Sequence, residues 1–238
     1  AALARILAAE ATAPFDLKAG PLVRARLVRL AREAHAFIVV GSHIVVDGIS
    51  IALLFKELSA LYAAFAGGKP SPLAPPASQF SDYVAWQREH VRGPELDRQM
   101  AYWRERLARE QAATELPPDR ARGAAPSGRA GRLAVRLAAP EAAGALGLLC
   151  RQEKAPPFAG VLAAFALLLQ RYTGHDDVLV GSPFGNRSRT GEDAAAGARF
   201  SKWLLSIGFY AETVVLRTSL AGDPSFRALL GRARDEIA

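Results

Sequence analysis

The chain has one cysteine, Cys150, one methionine, only five lysines, and no uninterrupted apolar run longer than nine residues, Val161 to Leu169. A single thiol excludes an intramolecular disulfide and a cysteine-built zinc site, and it fits a reducing, cytoplasmic setting. Nine residues fall short of the roughly 20 that a membrane-spanning helix needs, so no transmembrane segment and no membrane partner are expected. The first residues lack the charge-then-apolar profile of a secretory leader. Among the four histidines, His35 falls in a turn and His90 and His175 near helix ends, with no shared ligand spacing, so no metal site is expected. With lysine scarce, arginine dominates the 30 cations, which outnumber 23 carboxylates for a formal charge of +7. The arginines are scattered and not interleaved with aromatics, which argues against nucleic acid and leaves an acidic protein surface as the partner that the charge suits.

Half of the 238 residues are apolar and 22% are charged, which describes a globular chain with material for one large or two smaller cores. Ala1 at the start and a helical pattern still running at Ala238 read as an excised piece of a longer protein.

Two strands are expected first. Leu22–Leu30 alternates Val23, Ala25 and Leu27 with Arg24 and Arg26, the period-2 mark of a half-exposed strand. After the polar turn Arg32–His35, the β-branched run Ala36–Val40 is apolar on both faces and predicts a buried central strand antiparallel to the first. Apolar residues at Ile51, Leu54, Phe55, Leu58, Leu61, Tyr62 and Phe65 keep helical spacing over Ile49–Ala66, stopped by Gly67-Gly68. Ser81 or a neighbour caps a helix with Tyr83, Trp86 and His90, which Gly93-Pro94 ends. A helix over Glu95–Gln111 shows Leu96, Met100, Trp103 and Leu107 on one side. Core packing is the reading for Tyr83, Trp86 and Trp103, and a cap or ion pair for Asp82.

Thr114–Gly131 holds Pro117, Pro118 and Pro126 and almost no large apolar side chain, so it is a linker. Beyond it, a strand is expected at Leu133–Leu137 and helices at Pro140–Gln152 and Pro157–Tyr172, the latter packing Phe158, Val161, Leu162, Phe165 and Leu169. Short strands follow at Val178–Val180 and Thr213–Arg217, and Asp223-Pro224 reads as the cap and first residue of the last helix. Gly181–Arg189 matches neither a phosphate loop nor a dinucleotide fingerprint and reads as a bridge or loop near a site.

The chemistry-bearing stretch is Gly41-Ser42-His43-Ile44-Val45-Val46-Asp47-Gly48, between a strand and an amphipathic helix. Neutral imidazole accepts a proton near pH 7 without prior perturbation, and the helix dipole favours a developing anion. Asp47 can hold the turn through a charge-assisted bond, and Gly48 allows a backbone angle or close approach. His-x-x-x-Asp alone is a weak pattern, since a lone histidine beside a strand is more often structural.

Further segments add to it: Pro14–Leu27, Phe80–Trp86, Ala101–Leu107, Phe165–Arg189, Ile207–Arg217 and Gly222–Arg227. In this order they resemble the condensation domains of nonribosomal peptide synthetases, in the chloramphenicol-acetyltransferase-like superfamily. The resemblance covers nearly the whole chain and implies an α/β (α+β) class: a two-lobed fold of mixed sheets flanked by helices, here a fragment of both lobes. Residues 1–93 would be the later part of the first lobe with the histidine motif, and residues 94–238 the connecting helix, linker and first part of the second.

The activity implied is amide formation between a donor acyl or peptidyl thioester and the amino group of an acceptor aminoacyl thioester. Both are borne by peptidyl carrier domains, beside an adenylation domain. The 4'-phosphopantetheine arm belongs to the carriers, and the domain itself has no cofactor. By the same resemblance His43 is the base or positioning group; Ser42, Asp47 and Gly48 are structural motif residues; and Asn186, Glu212 and Thr213 line a cleft. Three departures stand out. Ser42 replaces the motif's first histidine, Glu212 puts a carboxylate where the family has asparagine, and Ala194–Ser206, with Arg199, Lys202 and Trp203, is lengthened. Two alternatives stay open: a related acyltransferase forming an ester or using a free acceptor, and a catalytically relaxed module that docks carrier or partner proteins.

Overall fold

The computed structural model describes residues 2–108, 116–119, 131, 133–134, 140–187, 201 and 203–237. Most of the strand expected at Leu133–Leu137 and most of the Thr114–Gly131 and Ala194–Ser206 segments lie outside these residues. The elements in chain order are α1 (Ala2–Thr12), β1 (Val23–Arg29), β2 (His35–Gly41), α2 (Gly48–Ala66), α3 (Phe80–His90), α4 (Pro94–Leu107), α5 (Pro140–Gln152), α6 (Pro157–Thr173), β3 (Asp177–Phe184), β4 (Glu212–Ser219) and α7 (Phe226–Glu236). They form two compact units, residues 1–101 with 184–212, and residues 102–183 with 213–238. The compact units part after residue 101, whereas the sequence reading sets its boundary at 93/94, and 184–212 groups with the first unit.

In the first unit, β1 and β2 pair antiparallel with Val23 opposite Gly41 and Arg29 opposite His35. The pairing is as expected, but the burial is not. Val23 and Leu27 are exposed, whereas Arg24 is half-buried. Arg24 donates to the carbonyls of Glu10, Ala13 and Pro14, and its guanidinium lies 3.8 Å from the Phe15 ring centre. Satisfying a guanidinium and covering its stem outweighs the alternation rule at this strand. β2 belongs to a two-stranded sheet and buries only Ile38 fully, so it is not the buried central strand its composition predicts.

Asp47 caps α2, accepting from the Ser50 N–H at 2.8 Å. With 19 residues and a mean hydropathy of 1.6, α2 is long and apolar enough to cross a membrane, although Lys56 and Glu57 interrupt its apolar run. Its first turn, however, buries Asp47 and Ser50 in polar contacts of the first unit. The cap of α3 is Gln79 and not Ser81; Asp82 reaches back to accept the Gln79 N–H at 2.8 Å. Tyr83, Trp203 and Tyr210 form a small aromatic core, with Phe80, Val84 and Trp86 against it. On α4, Leu96, Met100 and Leu107 are exposed and Trp103 is half-buried.

The second unit holds the larger, aliphatic core. Its β3 and β4 form a two-stranded sheet, and Val178 and Leu216 join Cys150, Leu162, Leu169, Leu229 and Leu230 in one cluster. Helix α6 inserts its small residues Ala159, Gly160, Ala163 and Ala166, leaving Phe158, Val161 and Phe165 exposed, the reverse of the expectation for those three. The small face wins because it lets α5 approach: a Cβ on Gly160 would sit 2.6 Å from Cys150 Sγ. The last helix is capped by Ser225, which accepts from the Ala228 N–H, while Asp223 precedes it at φ +48°. An aspartate in that left-handed turn cannot act as the cap that the Asp-Pro pair predicts.

Candidate active site

His43 lies exposed in the tight turn between β2 and α2. The turn is fastened by its backbone: Ser42 N–H donates to the Leu22 carbonyl at 2.8 Å, and Val45 N–H donates back to the Ser42 carbonyl at 3.1 Å. The imidazole meets the Phe209 ring edge-on, with centres 5.1 Å apart and planes at 70°.

Four residues on, Asp47 points inward and is 4% exposed. Besides Ser50, its carboxylate accepts from Arg187 Nη2 at 3.0 and 3.1 Å and from the Tyr210 N–H at 3.2 Å. Burial alone pushes this carboxyl up, but the hydrogen bonds from Ser50, Arg187 and Tyr210 outweigh it and hold Asp47 below the ordinary carboxylate value. Asp47 is thus an ionised acceptor at neutral pH, with its oxygens committed to holding structure. The Ser50 and Ile51 N–H groups are bonded to Asp47 as well, so these helix-terminal donors are already used. Gly48 shows neither feature expected of it: its φ is not left-handed, and a Cβ there would meet nothing within 4 Å.

Arg187 is the centre of this arrangement. Nη1 donates to the carbonyls of Trp203 and Ser206, Nη2 donates to Asp47 and to Ser50 Oγ, and the guanidinium carbon lies 4.0 Å from the Tyr210 ring centre. Ser50 Oγ also accepts the Gly208 N–H at 3.0 Å and donates to the Gly208 carbonyl at 2.8 Å. Gly208 is required there, because a Cβ would lie 2.5–2.7 Å from atoms of the rigid Phe80 side chain. In the sequence Arg187 and Gly208–Tyr210 sit inside longer resembling segments, and no role for them is legible there. The available signal was a lone aspartate in a buried-looking motif, which calls for a cation elsewhere in the chain.

Asn186 and Glu212 converge on Tyr83. Asn186 Nδ2 donates to Tyr83 Oη at 2.6 Å, and Gln87 Nε2 donates to Glu212 Oε1 at 3.2 Å and to Tyr83 Oη at 3.4 Å. Burial first, then the nearby Glu212 and Tyr210, pushes the Tyr83 phenol up to about 12. Thr213 belongs to the second unit, where its Cγ2 packs toward Gly181. Among the described residues no cluster of three or more histidine, cysteine or acidic side chains is arranged to hold a metal.

The family described as Condensation domain matches residues 1–238. A linear gramicidin synthase from Brevibacillus parabrevis is 39% identical over 231 residues, covering 97% of this chain and 4% of that protein. Among solved structures, the X-domain in its complex with OxyB from teicoplanin biosynthesis superposes with a TM-score of 0.81 at 32% identity, over 99% of this chain and 50% of that one. The first condensation domain of the calcium-dependent antibiotic synthetase shares the fold at a TM-score of 0.72 and 22% identity, over 99% of this chain and 50% of that one. The chain thus spans about half the length of these solved domains and a small share of the curated relative. The α/β (α+β) class expected from the sequence, with sheets flanked by helices in a fold of the condensation-domain kind, agrees with these likenesses.

Proposed function

The chain belongs to the condensation-domain family, and from that membership we propose that its parent protein forms an amide bond between two carrier-bound substrates in nonribosomal peptide synthesis. The amino group of the acceptor aminoacyl thioester attacks the donor thioester carbonyl. A C–N bond forms, the C–S bond breaks, and the proton lost by the amine goes to the departing thiolate of the donor arm. Donor and acceptor carrier domains present the phosphopantetheine-borne substrates, an adenylation domain loads them, and the setting is cytoplasmic.

One observation carries the reading: the motif turns His43 outward and Asp47 inward. An exposed imidazole is free to reach the attacking amine as base or as positioning group. The ionised, fully bonded Asp47 holds the turn from beneath and takes no part in proton transfer. Ser42 contributes backbone bonds to the same turn, which a serine supplies as well as the histidine it replaces. Asn186 and Glu212 are the residues we assign to lining the substrate path, with Glu212 tied to Gln87. Holding two tethered substrates together lowers the entropic part of the barrier whichever role His43 takes.

The test uses the parent protein with separately loaded donor and acceptor carriers, following acceptor mass by intact-protein mass spectrometry. Wild type is expected to add the donor mass, and a folded His43→Ala variant to be slower by about 10²-fold. A wild type that binds both carriers and transfers nothing would replace this reading with that of a docking module.

A further inference from the structure

Phe209 is an outward-facing aromatic between two buried neighbours. On one side, Gly208 is fastened to Ser50 Oγ through both its N–H and its carbonyl, and its surface is closed by Phe80. On the other, Tyr210 is 1% exposed, donates its N–H to Asp47, packs against Arg187 and donates its hydroxyl to Ser206 Oγ at 2.8 Å. The backbone of residue 209 is therefore fixed by Asp47 and Ser50, the two residues that build the first turn of α2 just after His43. Phe209 itself stays 39% exposed, too open for a core residue, and its ring stands edge-on to His43.

We infer that Phe209 is a positioning residue for His43, a clamped aromatic wall that holds the exposed imidazole in one orientation for transfer. The inference rests on the proposed role of His43. An exposed histidine side chain turns about two torsions, and a ring packed edge-to-face beside it removes part of that freedom. Orientation matters because a misplacement of about 1 Å at a reacting group can cost about 10²-fold in rate. The clamp explains why the buried hydrogen bonds of Ser50 and Asp47 converge on both flanks of a residue whose own side chain stays in solvent.

The experiment takes the parent protein with both carriers loaded and compares Phe209→Leu and Phe209→Tyr, each with His43 and with His43→Ala. Phe209→Leu is expected to slow transfer at saturating carriers by about tenfold while leaving half-saturating carrier concentrations within about twofold. Phe209→Tyr, which keeps the ring, recovers most of the rate. In the His43→Ala background, Phe209→Leu adds no further loss. Carbethoxylation of His43 by diethyl pyrocarbonate, read by peptide mass spectrometry, speeds up severalfold in Phe209→Leu and not in Phe209→Tyr. Phe209→Met replaces Phe209→Leu should the latter fail to fold. An equal loss in both backgrounds, or a change confined to half-saturation, overturns the positioning role. An unaltered carbethoxylation rate overturns the contact itself, while wild-type transfer by His43→Ala removes the functional reading on which both stand.

Discussion

Arg187 and Asp47 have side-chain exposures of 3% and 4%, so each charge depends on the other for the solvation that water no longer gives. Removing one partner of such a pair leaves an uncompensated buried charge, at a cost of about 3–5 kcal/mol. Asp47→Asn keeps the helix cap's shape and leaves Arg187 unpaired, so it should lose about that much at pH 7. Because folding lowers the Asp47 pKa, the stability its charge contributes is complete above the ordinary carboxylate value of about 3.9 and is lost as pH falls through the lower folded value. Urea midpoints of wild type and Asp47→Asn should therefore lie far apart at pH 7 and draw together in strong acid. A gap that persists unchanged at low pH would show that the carboxylate's charge is not what stabilises the turn.

Among the elements, the contact between α5 and α6 gives the sharpest prediction. Gly160 lies in the interior of α6, where alanine is ordinarily better by about 1 kcal/mol. Here the added methyl would meet Cys150 Sγ at 2.6 Å and Leu146 Cδ1 at 3.1 Å, and Cys150 is 2% exposed with little room to yield. Overpacking of this kind costs about 1–3 kcal/mol, so the clash outweighs the propensity gain and Gly160→Ala destabilises. In a Cys150→Ala background the same substitution should turn neutral or favourable, as read from chemical denaturation followed by helical circular dichroism. The same reasoning explains why the limits of α2, α5 and α6 were legible while the inward face of α6 was legible only in part. Proline at the start of α5 and α6, and glycine after α2 and α6, are local signals. Which side of α6 goes inward was decided by how closely another helix approaches: Leu162 and Leu169 go in as periodicity selects, whereas Phe158, Val161 and Phe165, selected with them, stay out and leave the small face to α5.

At the scale of the molecule, the two units have cores of different kinds: a small aromatic cluster in the first, and in the second an aliphatic cluster drawn from α5, α6, β3, β4 and α7. Leu230 on α7 is fully buried in the larger cluster. Leu230→Ala should cost about 2–5 kcal/mol by transfer and cavity terms, measured from urea unfolding, with faster amide hydrogen exchange in α6, which packs on α7. A loss below about 1 kcal/mol would mean that the site collapses around the deletion. By itself the sequence determined what depends on neighbours a few residues away. That includes the positions of α2, α5 and α6, the antiparallel β1–β2 hairpin, and a histidine motif set between a strand and a helix. Only the tertiary structure decided the rest: the Arg24 face of β1, the partnership of Asp47 with Arg187 across 140 residues of chain, and that of Ser50 with Gly208 across 158. Periodicity and capping are local preferences written into each short stretch, whereas a buried charge or hydroxyl takes whichever partner the folded chain brings to it, and that partner's place in the sequence carries no mark of the pairing.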